Sequence, residues 1–186
     1  LERYGLVEDQ WGLLLADRVE VGRLLALLRH LATEDDLSVW QRMVGVLGGV
    51  ERVAGDDQRE ALAAWTRALV APALRALGPA PTPEESERTT ALRATLTEAL
   101  ARIGRDDEQL ALARERFAAL ADDPAAVDAD MADAVVRIVA GRADEATWEE
   151  LRRRASAART PQDRLRHQGA LADTDDVELV GRFCAL

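Results

Sequence analysis

Two histidines, one cysteine and a series of closely spaced aspartates are the side chains of this sequence whose chemistry could be catalytic or metal-binding. His30 stands four residues before Glu34, a spacing that puts both on one face of a helix. A zinc site needs more donors than two, so the pair reads as a solvated or capping contact. His167, between Arg166 and Gln168, reads as a surface residue. Cys184 has no histidine near it in sequence to act as a base, and a thiol without a base or positive surroundings is inert. The aspartates come as Asp35-Asp36, Asp56-Asp57, Asp106-Asp107, Asp122-Asp123 and the group Asp173, Asp175 and Asp176. Each falls at a boundary in the hydropathy pattern, where a carboxylate accepts from free helix N–H groups and opposes the helix dipole. The alternating oxygen ligands of a calcium loop are absent from the sequence.

Six arginines (152, 153, 154, 159, 164 and 166) share the stretch Arg152–Arg166 with a single acid, Asp163. One reading is a helix C-terminus carrying cations that suit its dipole, followed by a solvated helix. The other makes Arg153, Arg159, Arg164 and Arg166 a surface that meets a neighbouring domain or a peptide carboxylate through forked, charge-assisted bonds. No nucleophile–base pair or phosphate-binding loop can be read anywhere, so no catalytic, cofactor-binding or metal-ligating residue is assigned.

The elements that carry these residues are all helical. Apolar residues recur at helical spacing, as in Val21, Leu24, Leu25, Leu28 and Leu31, and nothing reads as a strand. Thr82-Pro83-Glu84-Glu85 has the form of a capping box with proline at the first helical position. Thr160-Pro161, Asp36, Asp57, Asp106, Asp128, Asp144 and Asp175 are further candidate N-caps. These signals predict about ten helices, starting near residues 2, 20, 37, 58, 83, 107, 129, 145, 161 and 176. Short links make successive helices antiparallel, and such pairs stack as an α–α superhelix of the HEAT-like solenoid type. The whole of 1–186 reads as one such domain, with a sub-stack division near 78–83 as the one candidate boundary. Pro72, inside the α-helical pattern from Leu62 to Leu77, predicts a kink or break. The four tryptophans, Trp11, Trp40, Trp65 and Trp148, fall on four different helices and read as core anchors.

Composition narrows the class. With 186 residues, 48% of them hydrophobic, the chain can bury a substantial core. A net charge of -10 disfavours nucleic acid and anionic membrane surfaces as partners. All 24 basic residues are arginine, and lysine and asparagine are absent, a bias expected of a GC-rich bacterial genome. A lone cysteine implies no disulfide, and with no apolar run long enough to span a bilayer and no signal peptide, a cytoplasmic location is expected. The chain begins Leu-Glu-Arg and ends with Val177, Leu179, Val180, Phe183, Ala185 and Leu186, without a polar capping helix. That pattern is expected of a piece of a longer stack, whose apolar end would tend to self-associate.

The segment from Glu2 to Val53 carries a family pattern. Its parts are Arg3, then Leu6 and Val7 before Glu8-Asp9, a leucine-rich second helix, and an acidic run into Ser38-Val39-Trp40. Weaker matches continue at Thr89-Ala91-Leu92-Arg93 and Thr160-Pro161-Gln162. The sequence thereby resembles the C-terminal helical domain of the M1 zinc aminopeptidases, the aminopeptidase N family. The resemblance implies a noncatalytic domain that covers the active-site chamber and controls peptide access. Its partners would be the catalytic domain of the same parent chain and the parent's peptide substrates. Zinc would be held in the parent by an H-E-x-x-H helix, and a G-x-M-E-N motif would grip the substrate amino terminus; neither motif occurs in this sequence. The alternative is a free-standing helical repeat scaffold that binds a partner protein on its concave surface.

Overall fold

The computed structural model describes residues 2–78, 80–82, 84–123 and 126–185, and among these it contains ten α-helices and no strand. They are α1 (Glu2–Leu15), α2 (Val21–His30), α3 (Leu37–Val53), α4 (Asp56–Ala76), α5 (Glu87–Arg102), α6 (Asp107–Asp122), α7 (Ala129–Gly141), α8 (Glu145–Ala157), α9 (Pro161–Ala170) and α10 (Val177–Cys184). The helices gather into two compact units, Leu1–Asp106 and Asp107–Leu186. Gly78–Pro81, where the sequence suggested a sub-stack division, lies inside the first unit.

Capping chemistry sets most of the starts. Asp36 accepts from the N–H groups of Ser38 and Val39, Asp128 from Met131, Asp144 from Thr147, Thr160 from Asp163, and Asp176 from Glu178 and Leu179. Each side chain satisfies donors that the first helical turn leaves free. Bonds from Val39 and Ser38, with Arg88 nearby, hold the Asp36 carboxyl below its ordinary range. Hydrogen bonding to Thr147 does the same for Asp144. The fourth helix starts earlier than Asp57 suggested, after Gly55, whose N–H donates to Gln58 Oε1 at 3.1 Å.

The fifth helix begins at Glu87 with Ser86 as its cap, four residues beyond the expected start. Thr82 and Glu85 do bond to each other, Thr82 N–H to Glu85 Oε2 and Glu85 N–H to Thr82 O, but they close a turn rather than a helix. Pro83, expected at the first helical position, lies outside the described residues. Pro72 does not break α4, which runs through it from Asp56 to Ala76. The first helix ends in a Schellman motif, with Arg18 N–H bonded to Leu13 O and Asp17 N–H to Leu14 O; Asp17 takes the left-handed conformation usually given to glycine.

In the first unit α1 packs on α2 and α3, and α5 packs on α3 and α4. Leu24, Leu28, Trp40, Met43, Val46, Leu47, Leu96 and Leu100 form the centre of its core. Trp40 is fully buried and its indole N–H donates to Glu34 O at 2.9 Å. In the second unit α7 packs on α6, α8 and α9, and α8 packs on α9. Val135, Ile138, Trp148, Leu151 and Leu171 are buried there, and the indole N–H of Trp148 donates to Leu171 O at 3.2 Å. Two of the four tryptophans are thus the expected core anchors; Trp11 and Trp65 are only partly buried and line an open cleft.

One buried ion pair ties α5 to the link that precedes it. The Arg93 side chain is 6% exposed and that of Glu85 9%, and they meet through two bonds of 3.0 and 2.8 Å. The same guanidinium donates to Gly78 O at 2.6 Å and Leu77 O at 2.8 Å, satisfying carbonyls at the end of α4. Gly78 leaves the helix with φ of 79°, a conformation that favours glycine.

Candidate functional site

The arginine-rich stretch of the second unit folds around a hollow of about 670 Å³. The end of α6, the face of α7, the end of α8 and the start of α9 form its walls. Arg153, Arg159 and Arg166 all line it, with Arg154 beside them; Arg164 is exposed but does not belong to the lining. Sequence spacing alone could not sort these residues, because a helix end, a three-residue link and a new helix separate Arg154 from Arg164.

Local acids neutralise most of this charge. Arg152 pairs with Glu149 at 2.8 Å, and Arg153 and Arg154 share Glu150 at 2.6 and 2.7 Å. These are contacts between residues three or four apart on α8, the spacing at which helical side chains meet. The bond from Arg153, followed by that from Arg154, pulls the Glu150 carboxyl down to about 2. Arg154 also donates to Phe117 O at 2.9 Å and lies 3.9 Å from the centre of the Phe117 ring, so it ties α8 to α6. Arg166 bonds Asp133 on α7 and reaches Asp163 Oδ1 at 3.4 Å. Arg159 makes no ion pair with a described residue, and it projects from the link between α8 and α9 as an exposed side chain.

His167 is not the surface residue expected. It is buried in the same wall, and its Nδ1 lies 2.9 Å from Asp163 O. A carbonyl can only accept, so Nδ1 carries the proton. Glu34 is equally removed from His30: its side chain is buried, with Oε1 accepting from the N–H groups of Asp35 and Asp36 and Oε2 3.0 Å from Arg3 Nε. The spacing suggested a solvated or capping pair with His30; the Glu34 carboxylate is instead enclosed and bonded to Arg3 and main-chain N–H groups. His30 stays exposed.

Among the described residues no three His, Cys, Asp or Glu side chains stand together as a metal-binding group. Glu34 is committed to Arg3 and backbone donors, and His167 alone supplies too few donors for a zinc ion. Cys184 is exposed on the last helix. No described helix is long and apolar enough to cross a membrane.

Packed helix pairs, capped by acids and held by arginine–carboxylate bonds, define an all-α domain whose polar side chains serve structure more than catalysis. Residues 1–186 match the ERAP1-like C-terminal domain, and the chain belongs to that family, the C-terminal domain of the M1 aminopeptidases. Enzymes of the family are zinc peptidases, and membership implies association with a catalytic domain. No curated protein sequence matches the chain significantly.

Proposed function

We propose that this chain is the noncatalytic C-terminal domain of a bacterial, cytoplasmic zinc aminopeptidase, and that it governs which peptides reach the parent's active-site chamber. The supporting observation is the hollow beside Arg159. Arg153, Arg154 and Arg166 are balanced by Glu150, Asp133 and Asp163, whereas Arg159 has no such partner among the described residues. A guanidinium left free at the edge of a hollow is suited to a carboxylate, held by charge-assisted bonds. The carboxylate would belong to a peptide too long to be contained by the catalytic centre alone, or to the facing catalytic domain. Arg154 and Arg166 tie the hollow's walls to α6 and α7, Arg153 pairs within α8, and Arg164 lies outside the lining.

The parentage is tested by reading the genomic DNA upstream of the codon for Leu1. The expected result is an in-frame region encoding H-E-x-x-H, a downstream zinc-ligand glutamate and G-x-M-E-N. A stop codon followed by a start codon immediately before Leu1 would instead make the chain an independent module.

A further inference from the structure

The first unit holds a second concavity that the Arg159 reading leaves unused. It is a cleft of about 950 Å³ between the end of α1, the start of α2, the second half of α3 and the first half of α4. Trp11, Leu25, Val50, Val53 and Trp65 supply most of its apolar surface. Val53 is 84% exposed and Leu15, on the rim, 68%. Apolar side chains grouped at this exposure around two half-buried indoles mark a surface meant to be covered. Gly49 lets the Trp11 ring sit directly against α3, because a Cβ there would fall 2.7 Å from Trp11 Cη2 and displace the ring.

Charge identifies what covers it. None of the described lining residues is acidic; the one charged side chain of the lining is Arg52, exposed and without an ion pair to a described residue. Arg29 adds a second cation, its guanidinium 5.9 Å from the centre of the Trp65 ring. The lining itself thus carries positive charge within a protein of net charge -10. We propose that the cleft receives an amphipathic helix from the catalytic portion of the parent aminopeptidase. Its apolar face seats between Trp11 and Trp65, and an Asp or Glu at its edge meets Arg52. Helix-in-groove docking of this kind uses apolar anchors one helical turn apart, with flanking charge setting register. The inference rests on the reading of this chain as part of such an enzyme.

The test is thiol accessibility, read by mass spectrometry of the peptide that carries each introduced cysteine. Val53→Cys and Ala157→Cys, the latter at the Arg159 hollow, are labelled with a maleimide in the full-length enzyme and in the 1–186 chain alone. Labelling at Val53→Cys is expected to be at least tenfold slower in the full-length enzyme, and adding Arg52→Glu should recover at least threefold of that protection. Equal labelling of Val53→Cys in both proteins, with Ala157→Cys protected, overturns the docking proposal while leaving the domain's association with the catalytic portion standing. Equal labelling at both positions overturns the proposal together with that association. Protection of Val53→Cys in the isolated chain that grows with its concentration would mean that a second copy fills the cleft, and also overturns it. Protection unchanged by Arg52→Glu removes the acidic helix as the occupant.

Discussion

Arg93 and Glu85 illustrate how one charged pair can organise a connection. The guanidinium serves a carboxylate and two main-chain carbonyls at once, and the carboxylate has little other solvation. Removing one partner of a buried pair leaves the other uncompensated, a loss of about 3–5 kcal/mol. Arg93→Ala should therefore lower the urea midpoint by an amount equivalent to that loss at constant slope, and Arg93→Lys should not restore it, since an ammonium cannot reproduce the fork. Only the position of Arg93 was legible beforehand, as part of the family pattern; its partners were not, because Glu85 had been assigned to a helix cap. The turn at Thr82–Glu85 forms, but the demand of Arg93 for the Glu85 carboxylate is met across eight residues of sequence. Local pattern carries no information about that competition.

A pH effect belongs to the same scale. Glu150 is held at about 2, below its ordinary 4.5, so the folded state favours its ionised form. Its contribution to stability is complete above pH 4.5 and is lost as the pH falls toward 2. Glu150→Gln should flatten the acid limb of the stability curve in this interval and leave the slope above pH 5 unchanged, as measured by thermal melts across a pH series. An unaltered acid limb in the variant would show that the carboxylate makes no such contribution.

Among the elements, four helices were read at their true starts from their caps, whereas the capping box at Thr82–Glu85 misplaced the start of α5 by four residues. Asp36, Asp128, Asp144 and Thr160 all cap where the sequence placed them, since a short oxygen-bearing side chain before an apolar period has few other uses. Asp175 was read as the cap of the tenth helix, but the cap is Asp176, one residue on, which accepts from the N–H groups of Glu178 and Leu179. Pro72 was read by the rule that proline ends helices, yet α4 continues through it because Leu69 and Val70 on one side and Leu74 on the other remain packed on the core. Tertiary burial here offsets the missing hydrogen bond. Pro72 itself is exposed, so Pro72→Ala removes the backbone penalty without opening the core. It should stabilise the protein by about 1–3 kcal/mol, seen as a higher urea midpoint. A lower midpoint would mean that the backbone geometry proline imposes at position 72 is needed for α4 to pack.

Trp11 and Trp65 show the limit of reading side chains by type. Four tryptophans on four helices suited a single role, but packing divided them into two buried anchors and two that border a cleft. Periodicity locates a residue on a helix face; it does not say whether another helix covers that face. The Gly48-Gly49 pair is a signal that could have shown it, because a small residue in mid-helix permits the close approach of Trp11.

For the molecule as a whole, composition and chemistry point the same way. A net charge of -10 coexists with a cationic stretch whose charges are mostly cancelled within α8 or against α7, so the stretch is chiefly a piece of structure. Six arginines suggested a broad anion-binding face, whereas the fold narrows that candidate to Arg159 and the hollow it lines. The distinction was invisible in sequence because Asp133, which engages Arg166, is contributed by a different helix. Family membership accounts for the absence of the peptidase motifs from this sequence: their place is the catalytic domain with which such a chain associates.

The measurement that bears most directly on this account is kcat/KM of the full-length aminopeptidase, with and without Arg159→Ala, across peptides that share an N-terminal residue and differ in length from two to ten or more. One charge-assisted bond to a carboxylate is worth about 2 kcal/mol at the upper end of what an accessible site allows. The account predicts that kcat/KM for the longer peptides falls by about tenfold in the variant while that for dipeptides is unchanged. An equal effect at every length, or none at any, would contradict the claim that this domain selects peptides through the hollow beside Arg159.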